Sequence, residues 1–174
     1  LPEPDALYVP SGTMGTCVGL ALGLAAAGLK TRVEAVRVTT APYTSPEHAS
    51  ALHTQTLRLL REACPTFPEC VLDGDRFHIR DEFFGEEYAL YTPESAEMVR
   101  FSRERMGISL EGTYTGKALA ALHADAAAGR LRGQTALFWN TYNGAPSGPE
   151  PPSGEYRLLH PLLQEYFEQP VQPL

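Results

Sequence analysis

Apolar residues in the first forty positions alternate between strand-like and helix-like spacing. Residues 6–9 form a short apolar run that stops at Pro10, and residues 15–27 are apolar nearly all round over a helical length. Gly28 stands where a left-handed helix cap belongs, and residues 32–38 are rich in valine, as in a strand. Strand, buried helix and strand in this order predict a parallel crossover.

Later helices are predicted from their start signals. Ser45 and Thr92 each precede Pro-Glu, which supplies an N-cap, a proline at the first helical position and an acidic first turn. The pattern predicts helices over residues 46–63, 94–106 and 115–128, a strand over 135–139 and a short terminal helix over 158–167. Strands alternating with helices indicate an α/β layered fold.

One domain with a tail is the predicted organisation. The chain has 174 residues and is 43% hydrophobic, which suffices for one sizeable core. Proline, glycine and serine dominate residues 145–154, and they predict a loop or tether. We therefore divide the sequence into an α/β domain over residues 1–144 and a loop with a terminal helix over residues 145–174.

Charge and cysteine content exclude several classes of function. The net charge is −7 and the basic residues are scattered, so nucleic acid is not an expected partner. Three cysteines do not indicate a disulfide scaffold, and a reducing cytoplasm is expected. The most apolar run, residues 18–29, is too short to cross a bilayer and lacks a basic leader, so no membrane association is expected. The histidine spacing indicates no metal site.

A glycine-rich turn between the first strand and helix is the first candidate for chemistry. Backbone N–H groups and the helix dipole converge there, and the hydroxyls of Thr13 and Thr16 add donors, so a phosphate would fit. The turn lacks the lysine of a P-loop, and the spacing of Gly12, Gly15 and Gly19 misses the dinucleotide fingerprint. A turn that only tightens a corner remains an equal alternative.

Three motifs in order resemble one family of enzymes. The first is Gly-Thr-Met-Gly-Thr-Cys-Val-Gly-Leu at residues 12–20. The second comprises Phe-Gly-Glu-Glu-Tyr-Ala at 84–89, Thr-Pro-Glu at 92–94, Met-Gly-Ile at 106–108 and Leu-Glu-Gly-Thr-Tyr-Thr-Gly-Lys-Ala-Leu at 110–119. The third is Leu-Phe-Trp-Asn-Thr at 137–141. This series resembles fold type II pyridoxal-phosphate enzymes of the D-cysteine desulfhydrase and 1-aminocyclopropane-1-carboxylate deaminase family.

The resemblance implies a fold and a set of site residues. The fold would be a three-layer, Rossmann-like, mostly parallel sheet flanked by helices, the large-domain portion of the tryptophan synthase β-like fold. Gly12, Thr13, Met14, Gly15 and Thr16 would hold the phosphate of pyridoxal 5'-phosphate. In the same comparison Thr141 would sit beside the pyridine nitrogen, and the phenols of Tyr88 and Tyr114 would touch the substrate and exchange protons. Without the resemblance, the two tyrosines would be read as packing residues.

The resemblance also implies what is missing. A Schiff base needs a lysine, and only Lys30 and Lys117 exist here. In the family the cofactor lysine lies far upstream of these motifs, so Lys117 is expected to be structural and Lys30 a solvated charge at a helix end. The sequence starts with Leu1 and reads as part of a longer protein.

The resulting functional expectation is a piece of a pyridoxal-phosphate-dependent lyase or deaminase acting on a small amino acid. It would be inactive without its N-terminal segment, and Thr115 after Tyr114 favours the desulfhydrase-like branch of the family. Apolar surface left uncovered predicts a homo-oligomer or an intimate partner.

Departures from the family motifs support a second expectation. Met14 and Ala89 replace glycines, which threatens a backbone with positive φ, and Tyr142 adds bulk beside Thr141. These changes favour a non-catalytic anion-binding or protein-interaction domain. Cys17, in the first turn of the first helix, is expected to have either a lowered thiol pKa or a plain packing role.

Overall fold

The fold is an α/β sandwich built on four parallel strands. The computed structural model describes residues 2–145, 148 and 154–174. The strands are β1 (Ala6–Ser11), β2 (Arg32–Arg37), β3 (Phe77–Arg80) and β4 (Ala136–Phe138). The helices are α1 (Gly15–Ala26), α2 (Pro46–Ala63), α3 (Pro93–Phe101), α4 (Thr115–Ala127) and α5 (Pro161–Glu168). The sheet order is β3-β2-β1-β4 and every pairing is parallel.

The alternation of side chains along β1 explains the three layers. Leu7 and Val9 pack on one face of the sheet with residues of α1 and α2. Ala6 and Tyr8 point to the other face, where they meet Ala118 and other residues of α4. Successive strand residues face opposite sides, so one short strand supplies both cores. The expected three-layer, Rossmann-like parallel sheet is therefore confirmed.

Helix α4 separates the sheet from α3. Its residues Leu119 and Ala120 pack with Met98 and Val99 of α3 and with Leu110. Small residues let α4 lie close to both neighbours: a Cβ on Gly116 would stand 2.9 Å from the carbonyl oxygens of Glu111 and Ser95. Because α4 packs against the sheet on one side and against α3 on the other, the position of its N-terminus is fixed.

Several elements differ from the sequence expectations. β3 was not predicted, because its short run Phe-His-Ile-Arg carries polar side chains that take part in a buried ion-pair network. The helix expected over residues 94–106 ends as an α-helix at Phe101 and continues as a short π-helix, Ser102–Met106. Helix α1 is not buried all round. Cys17, Val18 and Leu22 are its buried residues, and its glycines at 15, 19 and 23 are exposed.

The chain forms two compact units. The first ends at Tyr142 and the second runs from Asn143 to Pro173. The second contains a short 3₁₀ turn (Glu155–Leu158) and α5, joined by stacking of Tyr156 on Phe167. The predicted loop over residues 145–154 falls largely on residues 146, 147 and 149–153, which lie outside the described residues.

Candidate functional site

An open cavity of about 430 Å³ lies at the carboxyl ends of the strands. Ser11 ends β1, Thr39 follows β2 and Thr141 follows β4, as expected for a ligand site on a parallel sheet. The cavity brings together every residue that the sequence predicts for the site. These are Gly12, Thr13, Met14, Gly15, Thr16, Tyr88, Tyr114 and Thr141. Thr39 and Tyr43 also line it, and sequence reasoning missed them because they carry no motif.

The start of α1 forms the floor of this cavity. The helix begins at Gly15, and within the described residues no side chain caps it. Its first N–H groups have no carbonyl partner inside the helix, so they remain available to a ligand. Met14 has left-handed backbone angles, φ 65° and ψ −2°, directly before right-handed residues. A change of hand between successive residues can turn their N–H groups to one side, which is an arrangement suited to an anion. We call residues 12–16 the phosphate cradle.

Met14 corrects one sequence expectation. The methionine was expected to threaten a positive φ, yet it adopts one, and Ala89, at φ 68°, does the same. A left-handed residue other than glycine costs roughly 1–2 kcal/mol. The Met14 side chain is fully buried among core residues that include Leu7 and Val9, and burying such a side chain contributes roughly 1.5–3 kcal/mol. The substitution therefore keeps the turn and fills the core beneath it.

Tyr88 and Tyr114 form a pair at the cavity wall. Their hydroxyl oxygens are 3.1 Å apart, and the rings meet edge to face with centroids 6.5 Å apart. A Cβ added to Gly12 would lie 3.5 Å from a ring carbon of Tyr114, so this ring lies against the cradle. The pair can pass a proton between its two hydroxyls, or present one hydroxyl to a ligand held by the cradle.

Glu111 holds Tyr114 in place. Its carboxylate accepts hydrogen bonds from the backbone N–H groups of Thr113, Tyr114 and Thr115, each at 2.7 Å. N–H groups at the start of a helix have no carbonyl partner within it. By accepting these hydrogen bonds the Glu111 carboxylate caps α4 and fixes the backbone from which Tyr114 projects. The signal in the sequence was an acidic residue three positions before a tyrosine that opens a helix.

Tyr114 is expected to titrate well above an ordinary tyrosine. The hydrogen bond with Tyr88 and partial burial raise the pKa of Tyr114 to about 12. Tyr114 therefore stays protonated through neutral and mildly alkaline pH. In the variant Tyr88→Phe the first cause is removed, and we expect the pKa of Tyr114 to fall towards 10.

NMR of tyrosine labelled at the ring carbon that bears the hydroxyl would follow this titration residue by residue. Tyr43→Phe is the matched control, because Tyr43 lines the same cavity and lies outside the pair. An unchanged Tyr114 titration in Tyr88→Phe would mean that the hydroxyl–hydroxyl bond is absent in solution.

Lys117 lies behind the site rather than in it. It is fully buried, and its Nζ donates to the carbonyl oxygen of Phe84 at 2.6 Å and lies 5.4 Å from the centre of the Phe84 ring. Burial lowers the pKa of Lys117. Phe84 begins the loop that carries Tyr88, and α4 carries Tyr114 at its start, so Lys117 ties together the two elements that present the tyrosine pair. This contact agrees with the structural role expected from the sequence.

Cys17 is a packing residue. Its Sγ lies 3.3 Å from Oγ of Ser11 and donates to the carbonyl oxygen of Met14 at 3.2 Å. Burial raises the pKa of the Cys17 thiol, so the alternative of a lowered pKa at the helix start is wrong.

The residues that the structure describes contain no cluster of three potential metal ligands. Among them no helix combines the length and apolar character needed to span a bilayer.

Comparisons with known proteins found similarity to a family model and to solved structures. A family model described as "Pyridoxal-phosphate dependent enzyme" matches residues 1–141. A solved structure described as the crystal structure of an ACC deaminase homologue matches with a TM-score of 0.62 and 29% sequence identity. The match covers 79% of this chain but only 39% of that protein's chain. No curated protein matches this chain.

Proposed function

Because this chain belongs to the family of pyridoxal-phosphate dependent enzymes, we propose that it is the cofactor-phosphate-binding part of a lyase or deaminase acting on a small amino acid, with D-cysteine desulfhydrase chemistry. The single observation that carries the proposal is the cavity in which the uncapped start of α1 meets Tyr88, Tyr114 and Thr141.

The residues present fit the cofactor. The cavity volume, about 430 Å³, lies within the usual range for small-molecule sites. The cradle offers backbone N–H groups and the hydroxyls of Thr13 and Thr16, both exposed, to a phosphate. Thr141 would hold the edge of the ring with a hydroxyl rather than a carboxylate. When bound, the cofactor supplies an electron sink for bond breaking next to the amino group of the substrate, and elimination tolerates the weaker sink that a neutral hydroxyl leaves.

The tyrosine pair would handle protons in this reaction. Tyr114 keeps its proton because Tyr88 and burial hold its pKa at about 12. Tyr88 is exposed and lines the cavity, so its hydroxyl is the one of the pair that can exchange protons with solvent. We propose that Tyr114 donates a hydrogen bond from its hydroxyl to Tyr88 and so orients it, and that the hydroxyl of Tyr88 contacts the substrate and exchanges a proton with it.

The Schiff-base lysine of such an enzyme would come from outside these 174 residues. The chain has two lysines, Lys30 and Lys117, and neither lines the cavity. Lys117 is turned away to the carbonyl of Phe84. The chain alone is therefore expected to bind the cofactor reversibly and to eliminate no sulfide from D-cysteine.

A binding experiment tests this proposal. The 174-residue chain is titrated with pyridoxal 5'-phosphate, with inorganic phosphate as competitor, and then treated with borohydride for mass spectrometry. We expect saturable binding that inorganic phosphate weakens, and no cofactor fixed to Lys117. If inorganic phosphate did not compete with the cofactor, the assignment of the cradle as its phosphate site would be wrong. Covalent labelling of Lys117 would contradict the structural role assigned to that lysine.

A non-catalytic anion-binding or protein-interaction domain is the second candidate. It is favoured by the position of both lysines outside the cavity and by the bulky Tyr142 that follows Thr141. Met14 and Ala89 adopt the positive φ of the glycines they replace, so they do not favour it. The upstream reading frame of the gene separates the two. A lysine-bearing segment there supports the enzyme, and a start codon beside Leu1 supports the domain.

A further inference from the structure

The segment that follows β2 packs against the back of the phosphate cradle. Residues 39–44 include a 3₁₀ turn, Ala41–Tyr43, and end at Thr44, which is only 3% exposed. Thr39 and Tyr43 line the cavity, whereas Thr44 is not among its lining residues. Thr44 belongs to none of the motifs in the sequence, where it stands beside the N-cap Ser45.

Thr44 is bonded to the carbonyl oxygens of the cradle. Its Oγ1 donates to the carbonyl oxygen of Gly12 at 2.6 Å and lies 3.3 Å from that of Ser11. The backbone N–H of Val38 donates to the same Ser11 oxygen at 3.1 Å. Both carbonyls therefore point towards the segment after β2 and into the protein.

The direction of a carbonyl determines the direction of the next N–H group. A trans peptide unit is planar, and its C=O and N–H point in opposite directions. Fixing the carbonyls of Ser11 and Gly12 thus turns the N–H groups of Gly12 and Thr13 away from Thr44, towards the side where these residues line the cavity. Gly12 has no Cβ, so without this bond a flipped peptide would be accessible. A flipped peptide would present an oxygen to the anion.

We propose that Thr44 is a positioning residue for phosphate recognition. Its buried hydroxyl holds the Ser11 to Thr13 peptides so that their N–H groups face the phosphate monoester of the ligand. The inference rests on the proposed function, since it concerns the same cavity. It assigns a role to a side chain that does not itself line the cavity.

The test compares two ligands that differ only in the phosphate. The 174-residue chain and Thr44→Val, which keeps the size of the side chain and removes the hydroxyl, are titrated with pyridoxal 5'-phosphate and with pyridoxal. We expect Thr44→Val to bind pyridoxal 5'-phosphate about tenfold more weakly, as for the loss of one buried hydrogen bond. Affinity for pyridoxal should not change. Thr44→Ser should restore binding, and Thr40→Val, at an exposed threonine of the same segment, should behave as wild type.

The outcomes separate this inference from the proposed function. Failure of the unmodified chain to prefer pyridoxal 5'-phosphate over pyridoxal would overturn both. If the unmodified chain shows that preference and Thr44→Val keeps it in full, only the role of Thr44 is wrong. Equal losses for both ligands would reveal a general structural role and would also overturn the inference. Should Thr44→Val not fold, the pair Thr44→Ser and Thr44→Ala makes the same comparison.

Discussion

Replacement of Thr16 by glutamate is expected to weaken phosphate binding strongly while leaving the fold intact or slightly more stable. Thr16 is exposed in the first turn of α1, where no side chain in the described residues caps the helix. A carboxylate there would interact favourably with the helix dipole and stabilise the fold by about 0.5 kcal/mol. The same charge would stand a few ångströms from a bound phosphate, and repulsion together with the loss of the hydroxyl should weaken binding by about 100-fold or more.

Calorimetric titration with pyridoxal 5'-phosphate and thermal unfolding measure the two halves of this prediction. Thr54→Glu is the matched control, because it makes the same change at an exposed position inside α2, away from any helix start. The control should change ligand affinity little. Undiminished binding by Thr16→Glu would show that the anion site is not at the start of α1.

Among the substitutions considered, removal of the Asp125 side chain is expected to lower the free energy of unfolding most. Asp125 is 4% exposed and accepts hydrogen bonds from the hydroxyl of Tyr8 at 2.6 Å, from Arg80 at 2.6 and 3.1 Å, and from Arg130 at 2.6 Å. Arg80 also donates a hydrogen bond to the carboxylate of Glu34 on β2. Asp125→Ala would leave the Arg80 charge and the Tyr8 hydroxyl without this partner between the sheet and α4, at a cost of about 3–5 kcal/mol. The exposed Asp75→Ala should cost less than about 0.5 kcal/mol in the same urea titration.

The contribution of Asp125 also predicts a dependence of stability on pH. Burial alone would raise the pKa of Asp125, but hydrogen bonds from Arg80, Tyr8 and Arg130 outweigh it and lower this pKa to about 2. A depressed carboxyl pKa stabilises the fold above the unfolded value, near 4, and this stabilisation is lost as the pH falls towards 2. It amounts to about 2 kcal/mol.

Other carboxyl groups titrate in the same range, so the comparison needs Asp125→Asn. Between about pH 6 and about pH 3, the wild type should lose more unfolding free energy than this variant does. Equal losses in both proteins would mean that Asp125 is not held in the ionised form by its partners. Such a result would leave the assignment of the cavity untouched, because the network does not line it.

Local patterns sufficed for the elements that have strong local signals. Thr92 makes a capping box with Ser95, and Ser45 accepts a hydrogen bond from the N–H of His48, so the helix starts expected at these residues are present. β3 escaped prediction because Glu34 and Asp125, remote in sequence, pair with its polar residues His78 and Arg80. No pattern in neighbouring residues predicts ion pairs with partners so distant in the sequence.

The sequence by itself determined the order of the strands and helices apart from β3, the membership of the pyridoxal-phosphate dependent enzymes, and the residues proposed for the site, because caps, glycine turns and motifs are features of consecutive residues. Only the tertiary structure decided that Tyr88, Tyr114 and Thr141 share one cavity with the cradle, since three separate connections return to the same sheet edge. It also decided that Lys117 is bonded to Phe84 and that Thr44 holds the carbonyl of Gly12. Hydrogen bonds between residues more than thirty positions apart depend on how the layers pack, and packing is a property of the whole chain.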